Sequence, residues 1–148
     1  MLRSQLDQSV GFLMGVAYRR VTNLFQLRLK EYDITPEQWA VLNRVVEEDG
    51  LIQKEIAERA GKDKASTTRM LDVLEAKSFL VKQPGVQDRR SFTVHATEKG
   101  RALIRETLPI EEKTMRDALE GIPEEEERLV LSVLRRIQTN LDRWTDQS

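Results

Sequence analysis

The chain contains no cysteine among its 148 residues, so it can form neither a disulfide nor a thiolate metal site. The same absence excludes a redox sensor that works through thiol oxidation. Histidine occurs once, at His95, and a single imidazole without a nearby carboxylate makes a poor transition-metal site. We therefore expect no metal and no cofactor, and we expect His95 to have a structural role.

Long hydrophobic runs are also missing. No apolar segment approaches the roughly 20 residues that a membrane-spanning helix requires, and the N-terminus shows no signal-peptide pattern. We therefore expect a cytoplasmic protein with no membrane contact. The sequence lacks a glycine-rich phosphate loop, and the single histidine leaves little room for a Ser/His/Asp set. These absences argue against an enzyme.

Charge is plentiful but unevenly distributed along the chain. The formal net charge is −1, yet residues 61–90 carry seven basic and four acidic side chains, a net charge of +3. Residues 106–127 carry nine acidic and two basic side chains, a net charge of −7. Only the first of these regions should approach phosphate groups. The acidic run at 124–127 suits a helix N-terminus, where the macrodipole favours acids, although a role in partner binding is the alternative.

The stretch 52–97 has the pattern of two short helices, a turn and a β-hairpin. Gly61 interrupts the first helical pattern, and Asp63 can cap the second helix by accepting from its free backbone N–H groups. A Pro-Gly pair then supplies turn chemistry ahead of S-F-T-V-H, which alternates as a half-buried strand does. Together these elements predict a winged helix-turn-helix whose wing tip carries Arg89 and Arg90.

The second of these helices has one face suited to a DNA major groove. At 100° per residue, Ala65, Ser66 and Arg69 lie opposite the apolar side. Small residues allow close approach, and arginine can donate two hydrogen bonds to a guanine edge. Arg69 could instead pair with Asp72 or Glu75 on its own helix. The candidate DNA contacts here are Lys62, Lys64, Ser66, Thr67, Thr68 and Arg69, of which Thr67 points toward the core side.

Long helices flank this region and make the predicted fold mainly α. Residues 8–32 form an amphipathic helix that is apolar on more than one side, so either the rest of the chain or a second subunit must cover it. We favour the second subunit. Further helices are predicted from 98 to about 119 and from 123 to about 145. We therefore assign 35–97 to a DNA-binding lobe of three helices plus a β-hairpin, and 1–34 with 98–148 to a helical dimerisation lobe.

Over nearly its whole length the chain resembles the MarR family of transcriptional regulators. The resemblance is carried by the order and spacing of five short segments, at 35–39, 53–59, 68–75, 88–91 and 97–100. It implies a homodimer that binds a pseudo-palindromic site in double-stranded DNA, with the two winged lobes about one helical turn apart. It also implies a repressor, less often an activator, that is often released by a small-molecule effector.

The resemblance further implies that Arg90 enters the minor groove while Asp88 orients it. The chain departs from the family pattern at Ile52, Ser78 and Ala96, where Thr, Gly and Leu are usual. These departures leave the local geometry open. A left-handed serine at position 78 would cost about 1 kcal/mol relative to glycine.

Two other functions remain as alternatives to a DNA-binding regulator. The net negative charge and the acidic run favour a winged-helix protein–protein adaptor that no longer binds DNA. A helical ligand pocket near Tyr18, Phe25 and Trp39 would favour sequestration of a small molecule. DNA binding that weakens with rising salt would distinguish a DNA-binding regulator from both alternatives.

Overall fold

The computed structural model describes residues 5–85 and 91–145. After a 3₁₀ turn at Gln5–Gln8, the chain forms α1 (Val10–Arg28), α2 (Pro36–Glu47), β1 (Leu51–Ile52), α3 (Gln53–Ala60) and α4 (Lys64–Ala76). It continues through β2 (Leu80–Pro84), β3 (Phe92–Ala96), α5 (Glu98–Ala118) and α6 (Glu124–Thr145). The predicted winged helix-turn-helix fold with long flanking helices is confirmed.

The chain divides into two compact units, Met1–Thr114 and Met115–Ser148. The first contains α1 to α4, the sheet and most of α5, and the second contains α6. The predicted separation of a DNA-binding lobe, 35–97, from a dimerisation lobe stays a prediction. None of the helices within the described residues is long and apolar enough to span a membrane.

The starts of the helices follow from local hydrogen bonding. Thr35 and Gln38 form a capping box at the start of α2, with both reciprocal hydrogen bonds 3.2 Å long. At the start of α3, Ile52 has no side-chain acceptor, and the Glu55 carboxylate accepts from the Ile52 backbone N–H at 3.1 Å. Only the reciprocal half of a capping box is therefore present, and Glu55 supplies it.

The hydrophobic core of the first unit lies between the helices and the sheet. Its fully buried side chains come from α2, α3, α4 and the strands, among them Val41, Leu42, Val45, Ile56, Leu71, Leu74, Leu80 and Val94. At one side of this core Phe25 and Trp39 pack edge to face, with ring centroids 5.2 Å apart. The Trp39 indole N–H donates to the buried Thr107 hydroxyl at 2.7 Å.

This packing corrects the hypothesis of a ligand pocket near Tyr18, Phe25 and Trp39. Phe25 and Trp39 are only 6% and 7% exposed, because each ring fills the space beside the other. Tyr18 is 55% exposed and lies about two turns earlier on α1. The three side chains are therefore two core residues and one surface residue, an arrangement that does not fit a ligand pocket lined by all three.

The sheet has three antiparallel strands in the order β1-β3-β2. Leu80 pairs with Ala96 and Leu51 pairs with Val94, so β3 is central. The sequence predicted only the β2–β3 hairpin, because a two-residue strand is too short to show an alternating pattern. β1 places the start of α3 directly beside the wing.

The turn after α4 lies close to the start of α5, where the two backbones are in contact. Ser78 adopts the left-handed conformation predicted for it, with φ 66°, and the Phe79 N–H donates to the Leu74 carbonyl at 3.0 Å as in a Schellman motif. Gly100 lies against this turn, and a Cβ there would stand 2.1 Å from the Phe79 carbonyl oxygen. The absence of a side chain at Gly100 therefore allows the backbone of α5 to pack closely against this turn.

His95 joins β3 to the end of α2. Its Nδ1 lies 2.8 Å from an oxygen of Asp49, and its Nε2 lies 2.8 Å from the Thr93 hydroxyl. Asp49 also accepts from the Ala96 backbone N–H and lies 3.5 Å from the Arg101 guanidinium. The expectation that His95 lacks a nearby carboxylate is therefore wrong, since the fold brings together two residues that are 46 positions apart.

Two helices expose apolar side chains along their length. On α1 the exposed ones include Val10, Phe12, Leu13 and Leu27. On α6 no described residue is buried, and the exposed apolar side chains include Leu129, Val130, Leu131, Val133, Leu141 and Trp144. Apolar seams of this extent are typical of helices that associate with another helix.

Candidate nucleic-acid interface

The outer face of α4 carries the predicted groove-facing residues. Leu71 and Leu74 are fully buried, whereas Ala65 and Arg69 on the opposite side are exposed and Ser66 is partly exposed. The helical pattern thus separates a core side from an outer side as the sequence predicted. The outer side has small residues in the first turn and a guanidinium one turn later, which suits close approach to base edges.

The cap of α4 and the outer face share one hydrogen-bond network. Asp63 accepts from the Ser66 backbone N–H and from the Ser66 hydroxyl, both at 2.8 Å. The Ser66 hydroxyl in turn accepts from Nη2 of Arg69 at 3.2 Å. The hydrogen bonds from Ser66 hold the pKa of Asp63 below its ordinary value of 3.8, so the carboxylate stays charged near neutrality. This network orients the Arg69 side chain and leaves most of its five N–H donors available.

The acidic residues of α4 are engaged by the wing rather than by Arg69. Lys82 on β2 contacts the Asp72 carboxylate and lies 3.9 Å from that of Glu75. Its ammonium also lies 5.1 Å from the centroid of the Phe92 ring. The alternative in which Arg69 pairs with Asp72 or Glu75 therefore does not describe this structure. Lys82 thus offsets the negative charge of Asp72 and Glu75, which would otherwise repel phosphates.

The remaining candidates on the helix-turn-helix lie around this face. Lys64 is exposed in the first turn of α4, while Lys62 is paired with Glu37 at 3.7 Å. Thr68 is partly buried, accepts from the Gln53 amide and donates to the Lys64 carbonyl at 2.9 Å. Lys62 must therefore leave Glu37 to reach a phosphate. The hydrogen bond from Gln53 links Thr68 to α3.

Thr67 requires a correction. Its side chain is fully buried, and its hydroxyl donates to the Asp63 carbonyl at 2.8 Å. A DNA contact at Thr67 does not fit this environment, because helix periodicity turns position 67 toward the core. We assign Thr67 a structural role and omit it from the interface.

The wing tip bears the remaining predicted contacts. The Gly85 N–H donates to the Ser91 carbonyl at 2.8 Å, which holds the hairpin together just below the tip. Asp88, Arg89 and Arg90 lie outside the described residues, so their roles stay predictions.

The sequence reasoning missed one residue of the outer face. Val73 is 38% exposed on α4, one turn beyond Arg69. With Glu37, Gln38, Ser66, Arg69 and Met70 it lines a shallow concavity of about 350 Å³. Helical periodicity could have identified Val73, since position 73 falls 80° from Ala65 on a helical projection and well away from the buried side.

Comparison with known proteins agrees with this geometry. Residues 34–92, which run from just before α2 to the first residue of β3, match the model of the MarR family. An uncharacterised HTH-type transcriptional regulator of Bacillus subtilis, YybA, is 28% identical over 130 residues, which are 88% of this chain and 87% of that protein.

Solved structures give the same fold. The transcriptional regulator SlyA superposes with a TM-score of 0.81 at 27% identity, over 88% of this chain and 92% of its own. Bordetella bronchiseptica BpsR, whose DNA binding is regulated by 6-hydroxynicotinic acid, superposes with a TM-score of 0.85 at 24% identity, over 93% of this chain and 98% of its own. The fold, the matched domain and the named relatives agree, and residues 34–92 form a domain of the MarR family of transcriptional regulators.

Proposed function

We propose that the protein is a homodimeric regulator that binds a pseudo-palindromic operator in double-stranded DNA. Residues 35–97 would form its DNA-binding lobe, and residues 1–34 with 98–148 its dimerisation lobe. It acts as a repressor, because occupancy of an operator is sufficient to block transcription and needs no further contact. The observation that carries the proposal is the outer face of α4, where Asp63 and Ser66 hold an exposed Arg69 beside small side chains.

Roles within this interface follow from side-chain chemistry. Arg69 reads a guanine edge through two parallel hydrogen bonds, and Ser66 and Thr68 reach base edges or phosphates. Lys62 and Lys64 contact phosphates, which position the protein without reading sequence. At the wing tip, Arg90 enters the minor groove, Asp88 orients it, and Arg89 flanks the backbone.

The dimer is supported by the apolar side chains that α1 and α6 expose. Trp144 is 77% exposed and Leu129 is 63% exposed, values that are unusual for large apolar side chains unless another surface covers them. Light scattering on the purified protein should give twice the 17.2 kDa chain mass. A monomer at micromolar concentration would contradict the proposal, and Leu129→Glu should shift a genuine dimer toward monomer.

The DNA-binding test begins with selection of bound duplexes from random sequence, followed by titration at several salt concentrations. A two-fold symmetric site and affinity that falls with salt are expected. Arg69→Ala should cost about 1–3 kcal/mol per half-site and relax selection at one position of each half-site. Lys64→Ala should weaken all sequences alike and reduce the salt slope by about 1 per half-site, or about 2 for the dimer. The wing assignment predicts a steep loss for Arg90→Ala with the fold intact.

A matched control is available on α5. Arg105 is 69% exposed and pairs only with Glu98 among the described contacts, so Arg105→Ala should leave DNA affinity unchanged. Wild-type affinity in the Arg69→Ala variant would contradict the assigned role of α4. Absence of salt-sensitive DNA binding, together with capture of a protein partner, would favour the adaptor function instead.

We also infer that a small carboxylic acid acts as effector. A hollow of about 410 Å³ is lined by Pro109 and Ile110 between the cationic residues Arg28 and Lys113. Arg28 also donates to the Thr114 hydroxyl at 3.2 Å, so a carboxylate would add to the contacts that these side chains already make, while the apolar wall suits a flat ligand. The support is this chemistry together with the ligand-regulated DNA binding of BpsR. A panel of aromatic acids should raise the melting temperature of the protein, and Arg28→Ala should abolish that rise; an equal rise in the variant would contradict this site.

A further inference from the structure

The concavity beside α4 includes the apolar side chain of Val73, on the face that would meet base edges in a DNA groove. Val73 is 38% exposed, while Met70 next to it packs against the hydrophobic core. The core therefore does not need Val73, and an exposed β-branched residue gives a helix no advantage in stability. The position of Val73 on the groove-facing side calls for another explanation.

Ala65, Arg69 and Val73 form a single row along α4, because they are four residues apart. At a rise of 1.5 Å per residue, neighbours in this row are about 6 Å apart. Successive base pairs of a duplex are about 3.4 Å apart, so a step along the row corresponds to roughly two base pairs. Arg69 stands in the middle, with an apolar group on each side.

The polar groups near this row are already engaged. Lys82 holds Asp72 and Glu75 on the side toward the wing, and Asp63 holds Ser66. Val73 itself presents only apolar methyl groups to the surface. In the major groove, the feature of a base pair that methyl groups recognise is the C5 methyl of thymine.

We propose that Val73 is a specificity-determining residue that packs against a thymine C5 methyl about two base pairs from the guanine read by Arg69. This inference rests on the proposed DNA-binding function and adds the class of base that α4 selects beyond that guanine. Arg69 supplies hydrogen-bond readout, Val73 supplies shape and apolar readout, and the two act at separate base pairs.

Uracil provides a direct test, because it differs from thymine only by the missing methyl group. We would take duplexes selected by the full-length protein, replace thymine by uracil symmetrically in both half-sites, and measure affinity by fluorescence anisotropy. Burial of one methyl group corresponds to about a fourfold change in affinity per half-site. Uracil should therefore weaken wild-type binding by about 15-fold at one thymine position, two base pairs from the position where Arg69→Ala relaxes selection.

The variant Val73→Ala completes the cycle. It should bind the thymine and uracil duplexes within about twofold of each other, because the methyl group has lost its contact. Val81 is similarly exposed, at 41%, but lies on β2, so Val81→Ala should keep the full uracil effect. Indifference of the wild type to uracil, or full sensitivity in Val73→Ala, would overturn this inference while DNA binding itself stands. Absence of binding to any duplex would overturn the proposed function and this inference with it.

Discussion

Gly100 offers the sharpest test of the fold, because its replacement by alanine forces a contact that the backbone cannot accommodate. The added Cβ would lie 2.1 Å from the Phe79 carbonyl oxygen, 3.0 Å from its carbon and 3.4 Å from a methyl group of Leu42. The nearest contact is with backbone rather than with the end of a flexible side chain. The start of α5 must therefore move by roughly 1 Å to restore van der Waals separation.

That displacement affects the hydrogen bonds that fix the start of α5. The Thr97 N–H donates to the Phe79 carbonyl at 3.1 Å, and the Thr97 hydroxyl donates to the Ser78 carbonyl at 2.6 Å. Overpacking costs about 1–3 kcal/mol, and each weakened hydrogen bond adds up to about 1 kcal/mol. Alanine returns about 1 kcal/mol through its helix propensity. We expect the free energy of unfolding to fall by about 2 kcal/mol in Gly100→Ala, and by about 4 kcal/mol at most, which is a large share of the 5–15 kcal/mol typical of a domain.

Urea denaturation followed by far-UV circular dichroism, at one protein concentration for all variants, measures this loss. Gly15 provides the matched control, since it lies inside α1 and an added Cβ would meet no atom within 4 Å. Gly15→Ala should therefore gain about 0.5–1 kcal/mol from helix propensity alone. An unfolding midpoint for Gly100→Ala at or above that of the wild type would refute the reasoning.

Three further substitutions test other contacts. Thr107→Val should lower the free energy of unfolding by about 1–3 kcal/mol, because it leaves the buried Trp39 N–H without its acceptor; an unchanged melting temperature would contradict this. Ser78→Gly should raise it by up to about 1 kcal/mol in the same urea assay, since glycine adopts the left-handed conformation without strain. The hydrogen bond from His95 lowers the pKa of Asp49 from 3.8, so this carboxylate stabilises the fold above the unfolded-state pKa and the contribution is lost as the pH falls through the folded value. The deficit of Asp49→Asn relative to wild type should thus be largest near neutrality and shrink below about pH 4, and a deficit independent of pH would contradict the linkage.

The sequence predicted best what depends on neighbouring residues. The cap at Asp63 and the left-handed Ser78 follow from a few adjacent side chains and the backbone geometry they require. Contacts between distant segments were the ones missed. The hydrogen bond between His95 and Asp49 joins residues 46 positions apart, and periodicity along one segment carries no information about such a pair.

The same distinction explains the outcome for the candidate site residues. Periodicity placed Arg69 on the outer face of α4 and Thr67 on its core side, and the burial of Thr67 follows that pattern. The pocket hypothesis that included Phe25 and Trp39 relied instead on residue type. Aromatic rings are as well suited to filling a core as to holding a ligand, and only their mutual packing shows which role they have.

Net charge is a poor guide to nucleic-acid binding for a chain of this kind. The formal charge of −1 hides an arrangement in which Lys82 holds the two acids of α4 and Ser66 holds Asp63. Coulomb interactions weaken with distance and are screened beyond about 8–10 Å at physiological salt, so the total charge of a chain does not determine the field at one part of its surface. What a phosphate encounters is the local surface, and on α4 the charges left for a partner include those of Lys64 and Arg69. The proposed interface thus depends on which acidic groups are paired in the folded structure, and the net charge of the sequence does not contain that information.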